Sequence, residues 1–184
     1  MNQLSYQDVT EAPPLPPLAT LAAIYTAAGY KWEIDGRWWP IQIGEHAREL
    51  DDAFPDATRF GMLSASNPGN FALNDAENRS ADRELQRALD QLGLRYRPGF
   101  VMGRNRSWRA QNWLVIEPGE STFDALARRF GQIGTLLWPR EAPVRLRMRA
   151  ARPEMLVEQP YIDWLGDGFC AASAKDGAIP ALST

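Results

Sequence analysis

Apolar residues recur along the chain with two periods. Leu18, Leu21, Ala22 and Tyr25 stand at helical spacing across residues 18–28, and Gly29 closes that run. Residues 30–34 and 37–43 then flank Asp35-Gly36, a pair that tolerates positive φ, and so predict a two-residue hairpin. Such a turn sets Trp32 opposite Trp39 and Tyr30 opposite Ile41. One strand face therefore carries Tyr30, Trp32, Ile34, Trp39, Ile41 and Ile43, and strands of this kind need a buried face. Trp38 points the other way, beside Glu33. Pro40 cannot donate a ladder hydrogen bond, which places its strand at a sheet edge. Residues 45–54 read as a short acidic helix stopped by Pro55, with His46 at its start.

The centre of the chain repeats strand and helix in turn. Residues 60–65 are a short apolar run before the turn Asn67-Pro68-Gly69-Asn70, as in a buried strand. A helix over 75–92 follows, with Asn74 as N-cap and Glu77 at capping-box spacing. Ala81, Leu85, Ala88, Leu89 and Leu92 form its apolar stripe, and Gly93 ends it. Strands over 95–103 and 113–117 come next, joined through the polar turn Arg104-Asn105-Arg106-Ser107. Ser121 is expected to cap a helix whose inner face is Phe123, Leu126, Ala127 and Phe130. A strand at 135–138 precedes the strict alternation of 144–149, in which Val144, Leu146 and Met148 face in and three arginines face out.

These elements predict a single α+β domain with a mostly antiparallel sheet. Its core, within residues 59–149, runs strand-helix-strand-strand-helix-strand, a ferredoxin-like order extended by the N-terminal hairpin. Residues 1–17 form a proline-rich arm, 18–152 the domain, and 153–184 an irregular C-terminal tail packed through Tyr161, Trp164 and Phe169.

Composition narrows the class. Apolar residues make up 45% and charged ones 23%, values of a globular chain with a real core. No stretch approaches the roughly 20 apolar residues of a membrane span. The opening residues have neither a basic start nor an apolar run, and the lone cysteine, Cys170, excludes an internal disulfide, so a cytoplasmic location is expected. With one cysteine and one histidine, no zinc site of the usual kinds can be assembled. Glu49, Asp51, Asp52 and Asp56 lack the spacing and glycine of a calcium loop, so they read as a solvated helix face. Nucleotide-binding glycine loops and the nucleophile elbow are absent as well, and no metal or cofactor is expected.

Charge is unevenly placed. Residues 1–94 carry 7 basic and 14 acidic side chains, whereas residues 95–152 carry 12 arginines and 4 acids. The acidic flanks either fold back to pair with this centre or leave it exposed to an acidic partner. Arg145, Arg147 and Arg149 would then project from one strand face about 6.6 Å apart, with Arg104, Arg106 and Arg109 extending the patch. This is the alternative in which the protein binds nucleic acid, although stacked aromatics for such a sheet are not evident.

Three short motifs carry a resemblance. Ser64-Ala65-Ser66-Asn67-Pro68, then Ala76-Glu77-Asn78-Arg79, then Ala127-Arg128-Arg129-Phe130-Gly131-Gln132 resemble the bacterial family of unknown function numbered 3293, over roughly residues 25–149. The resemblance implies a site made of Asn67, Glu77, Asn78 and Gln132, in which Glu77 acts as general base or ligand contact and the amides orient a polar substrate. Each of these residues also has a structural use: Asn67 in a turn, Glu77 in a cap, Gln132 at a helix end. Ser66 stands where relatives commonly have an aromatic, and Gln111-Asn112-Trp113 where they often have an acid and a serine. The reading that follows is a module binding a protein partner or small polar ligand, with an enzyme centred on Glu77 as the alternative.

Overall fold

The computed structural model describes residues 16–106 and 108–166. Four helices are formed: α1 (Leu18–Ala27), α2 (Arg48–Ala53), α3 (Asp75–Gln91) and α4 (Glu120–Arg129). The strands are β1 (Gly29–Ile34), β2 (Arg37–Ile41), β3 (Arg59–Leu63), β4 (Arg95–Met102), β5 (Arg109–Ile116), β6 (Gly134–Pro139), β7 (Leu146–Met148) and β8 (Ile162–Trp164). All eight lie in one mixed sheet ordered β2-β1-β4-β5-β3-β6-β7-β8. Every pairing is antiparallel except that of β7 with β8. The protein is α+β, and its centre runs β3-α3-β4-β5-α4-β6 as the sequence pattern implies.

The N-terminal hairpin extends the sheet by pairing β1 with β4. Asp35 and Gly36 both adopt positive φ, 51° and 76°, and this tight turn fixes the expected register of Trp32 against Trp39 and Tyr30 against Ile41. One sheet face packs around Leu21, Tyr30, Trp32, Ile41, Leu50, Phe60, Leu114, Trp138 and Leu146, beneath α1 and α2. The opposite face packs Leu63, Trp113, Val115 and Leu137 against Leu85 and Leu89 of α3 and Phe123 and Leu126 of α4. Two apolar layers thus lie on one sheet.

Several element boundaries differ from the sequence pattern. Residues 43 and 46 form bridges to 144 and 143, so α2 begins only at Arg48 and His46 is not helical. Asp51, expected on a solvated face, is 7% exposed and accepts a hydrogen bond from the Glu141 backbone. Gly119, not Ser121, occupies the N-cap of α4, and its carbonyl accepts from the Phe123 backbone at 2.9 Å. β5 starts at Arg109, several residues before the apolar run that marks it in the sequence. The segment after residue 153 is not wholly irregular, because Ile162–Trp164 joins the sheet as β8. The proline-rich arm up to residue 15, together with Phe169 and Cys170, lies outside the described residues.

Candidate functional site

The turn after β3 is where the three motifs meet. Asn67 adopts a left-handed conformation, φ 49° and ψ 59°, which asparagine tolerates better than most residues. Its backbone N–H donates to Asn78 Oδ1 at 2.9 Å, and Asn78 Nδ2 donates back to Asn67 Oδ1 at 3.1 Å. Asn78 Nδ2 also donates to the Leu73 carbonyl at 3.1 Å, while the Leu73 N–H donates to Asn67 Oδ1 at 3.0 Å. From the end of α4, Gln132 Nε2 donates to the carbonyls of Ser66 and Phe130 at 3.2 and 3.0 Å. Gly131 takes positive φ and lies so close that a Cβ there would fall 2.8 Å from Pro68 Cβ. Its carbonyl accepts from the Gly69 N–H at 2.7 Å. Asn67, Asn78 and Gln132 therefore share one network.

Glu77 stands apart from it. Asn74 accepts from the backbones of Ala76 and Glu77, and the Glu77 carboxylate accepts from the Asn74 N–H at 3.0 Å, a complete capping box. Glu77 is exposed and does not line the cleft beside the network. Its carboxylate is held at the helix end by the cap.

That cleft, of about 290 Å³, lies between the start of α3 and the start of β5. Ser66, Asn67 and Asn78 form one wall, Asp75, Arg79 and Asp82 of α3 another, and Arg109, Ala110 and Gln111 of β5 the third. Asp82 accepts a hydrogen bond from Trp113 Nε1 at 2.7 Å. Burial raises its carboxyl above the ordinary aspartate range, against the opposing effects of the Trp113 N–H and of Arg83. Arg109 sets its guanidinium 4.0 Å over the ring of Phe100. The α3 wall thus carries Arg79 beside the carboxylates of Asp75 and Asp82, and the β5 wall carries Arg109. Sequence reasoning passed over Asp75, Arg79, Asp82, Arg109 and Gln111 as a group. The Asp82–Trp113 bond spans 31 positions, and no local pattern announces it.

The arginine strand is not the outward face it resembles in sequence. Arg145, Arg147 and Arg149 do share a face, but α4 lies over it. Arg147 donates to Glu120 at 2.9 Å and to Asp124 at 2.8 Å, and Arg149 donates to Asp124 at 3.3 Å. The side chains of Arg147 and Arg149 are 10% and 3% exposed. Arg145 holds Asp163 of β8 in a two-pronged pair at 2.9 and 2.5 Å. These three arginines are spent inside the fold, whereas Arg104, Arg106 and Arg109 stay exposed at the β4–β5 hairpin. Among the described residues no cluster of three His, Cys, Asp or Glu side chains could hold a metal ion, and no helix is long and apolar enough to cross a membrane.

Fold and cleft together define an α+β protein with one eight-stranded sheet and a polar cleft where β3, α3, α4 and β5 approach each other. Residues 63–134 match the family described as a protein of unknown function, DUF3293. The matched segment contains all three motifs and every residue lining the cleft. No curated protein and no solved structure matches the chain.

Proposed function

We propose that this protein is a binding module whose cleft between α3 and β5 takes a small polar ligand bearing an anionic group. The observation that carries this reading is the pair of arginines, Arg79 and Arg109, facing one cleft from different elements beside Asn67 and Gln111. The Asn67–Asn78–Gln132 network supplies rigidity: it ties the turn to both α3 and the end of α4, so the cleft is preformed. Both Asn78 Nδ2 hydrogens are already donated within the protein, which makes that amide a positioning group for Asn67 rather than a ligand contact. A ferredoxin-like reading of the central four strands and a cytoplasmic location complete the proposal. The lone cysteine in the sequence supports a reducing compartment.

An enzymatic reading would have to move from Glu77 to Asp82, the carboxylate whose raised pKa and cleft position meet the demands on a general base. The binding reading is tested by thermal shift with a panel of amino acids, dicarboxylates and mononucleotides. A ligand at one hundred times its Kd stabilises the folded state by about 2.7 kcal/mol, or several degrees of Tm for a chain of this size. The expected result is a shift that Arg79→Ala abolishes. If no compound in the panel moves Tm, or if Arg79→Ala keeps the shift intact, the cleft is not the site.

A further inference from the structure

The sheet face that carries the cleft continues past it toward β2. The apolar cluster under α3 and α4 draws no residue from β1 or β2, so among the described elements none covers that end. Trp38 stands there, 42% exposed, and its ring lies 4.8 Å from that of Phe100 at a 55° tilt. On the far side of Phe100 lies the Arg109 guanidinium. Lys31 pairs with Phe100 across β1 and β4, which sets its side chain on the same face. Planar groups from β2, β4 and β5 thus run diagonally across an open sheet.

Charge follows the same line. Residues 95–116 hold five arginines and no acid. Arg95 and Arg97 stand on the opposite sheet face, across from Ile116 and Leu114, while Arg104, Arg106 and Arg109 make no ion pair among the described residues. Of the acids nearby, Glu33 accepts from the Gly36 N–H of its own turn, and Asp75 and Asp82 lie on the α3 side. They bound the path of an anion and direct it toward the hairpin tip. A large exposed aromatic followed by unpaired arginines is the combination that single strands use: bases stack on the ring and phosphates meet the cations. A duplex keeps its bases stacked internally and could not use Trp38.

We propose that this face, from Trp38 across Phe100 and Arg109 to Arg104 and Arg106, docks a short single strand of nucleic acid. It shares Arg109 with the cleft but rests on Trp38, Arg104 and Arg106, which do not line it. Fluorescence anisotropy of the full chain with labelled ten-nucleotide oligo-dT, oligo-U and a duplex, over 50–200 mM salt, tests it. Single strands should bind in preference to the duplex. Trp38→Ala should weaken binding about tenfold, Trp38→Phe should restore most of it, and Arg87→Ala on the exposed side of α3 should change nothing. Arg104→Ala with Arg106→Ala should flatten the log–log salt slope by about 1.4, from ~0.7 per phosphate contact on a single strand. The proposal fails if no oligonucleotide binds at 50 mM salt, if the duplex binds equally well, or if Trp38→Ala leaves affinity unchanged. It also fails if a polyglutamate peptide displaces the oligonucleotide from wild type and Trp38→Ala alike, which would assign the arginines to an acidic protein.

Discussion

Single side chains divide into those that fasten the elements around the cleft and those that line it. Glu77 belongs to the first group. Glu77→Gln should cost no more than about 1 kcal/mol, the scale of a helix cap, seen as a drop of a few degrees in Tm with ligand binding intact. Loss of binding at unchanged Tm would return Glu77 to the site. Asn78 is a stronger fastener, because Asn78→Ala removes three hydrogen bonds and leaves Asn67 Oδ1 and the Leu73 carbonyl short of a donor. With partly buried polar groups left unpaired, at no more than about 1–3 kcal/mol each, chemical denaturation should show a clear loss of stability. Asp82 lines the cleft, and burial raises its folded pKa. Such a group stabilises the fold fully below its unfolded pKa, and the contribution is lost as pH rises through the higher folded value. An NMR titration should place its midpoint above that of an unfolded-chain aspartate. Asp82→Asn, which still accepts from Trp113, should gain stability relative to wild type on going from pH 3 to pH 7. A midpoint at or below the unfolded value contradicts the burial argument.

At the scale of elements, α4 is seated on β7 by ions as well as by its apolar stripe. Asp124 accepts from both Arg147 and Arg149, and Glu120, one turn earlier on the same face, accepts from Arg147. Removing one partner of a buried pair costs about 3–5 kcal/mol, since the remaining charges stay desolvated. Asp124→Ala should therefore destabilise far more than Glu120→Ala, whose carboxylate is 52% exposed. Equal and small effects in urea melts would show that α4 does not need the ion pairs. Strict alternation from Val144 to Arg149 identified the face on which the three arginines stand. Alternation says nothing of what lies over that face, and only the packing of α4 decides that Arg147 and Arg149 are buried. The hairpin and the cap of α3 were legible because Asp35-Gly36 and Asn74/Glu77 act within a few residues. The start of β5 was not, because Arg109 and Gln111 are polar residues on an uncovered part of the sheet.

At the scale of the molecule, one sheet carries two apolar layers, and among the described residues one end of its α3 face is left open. The centre of the chain is basic in sequence, yet part of that charge is neutralised by Asp56, Glu120, Asp124 and Asp163. Of what stays at the surface, Arg104, Arg106 and Arg109 lie on β5 and the hairpin tip, whereas Arg97, Arg128, Arg129 and Arg152 are exposed elsewhere. Asn67, Asn78 and Gln132 could be picked out in sequence because they sit in motifs, and their convergence depends on the close approach of Gly131 to Pro68, a tertiary contact. The walls formed by Asp82 and Arg109 arise only once α3 lies against β5. The most direct test of the account is a two-dimensional ¹H–¹⁵N spectrum of the full chain, recorded while a compound that raises Tm is titrated in. The account predicts that the largest shifts fall on the backbone amides of Asn67, Asn78 and Gln111 and on the Trp113 indole N–H that Asp82 holds. Shifts gathered instead around Arg145, Asp163 and Trp164, with the Trp113 indole unmoved, would place the ligand at the other end of the sheet and contradict it.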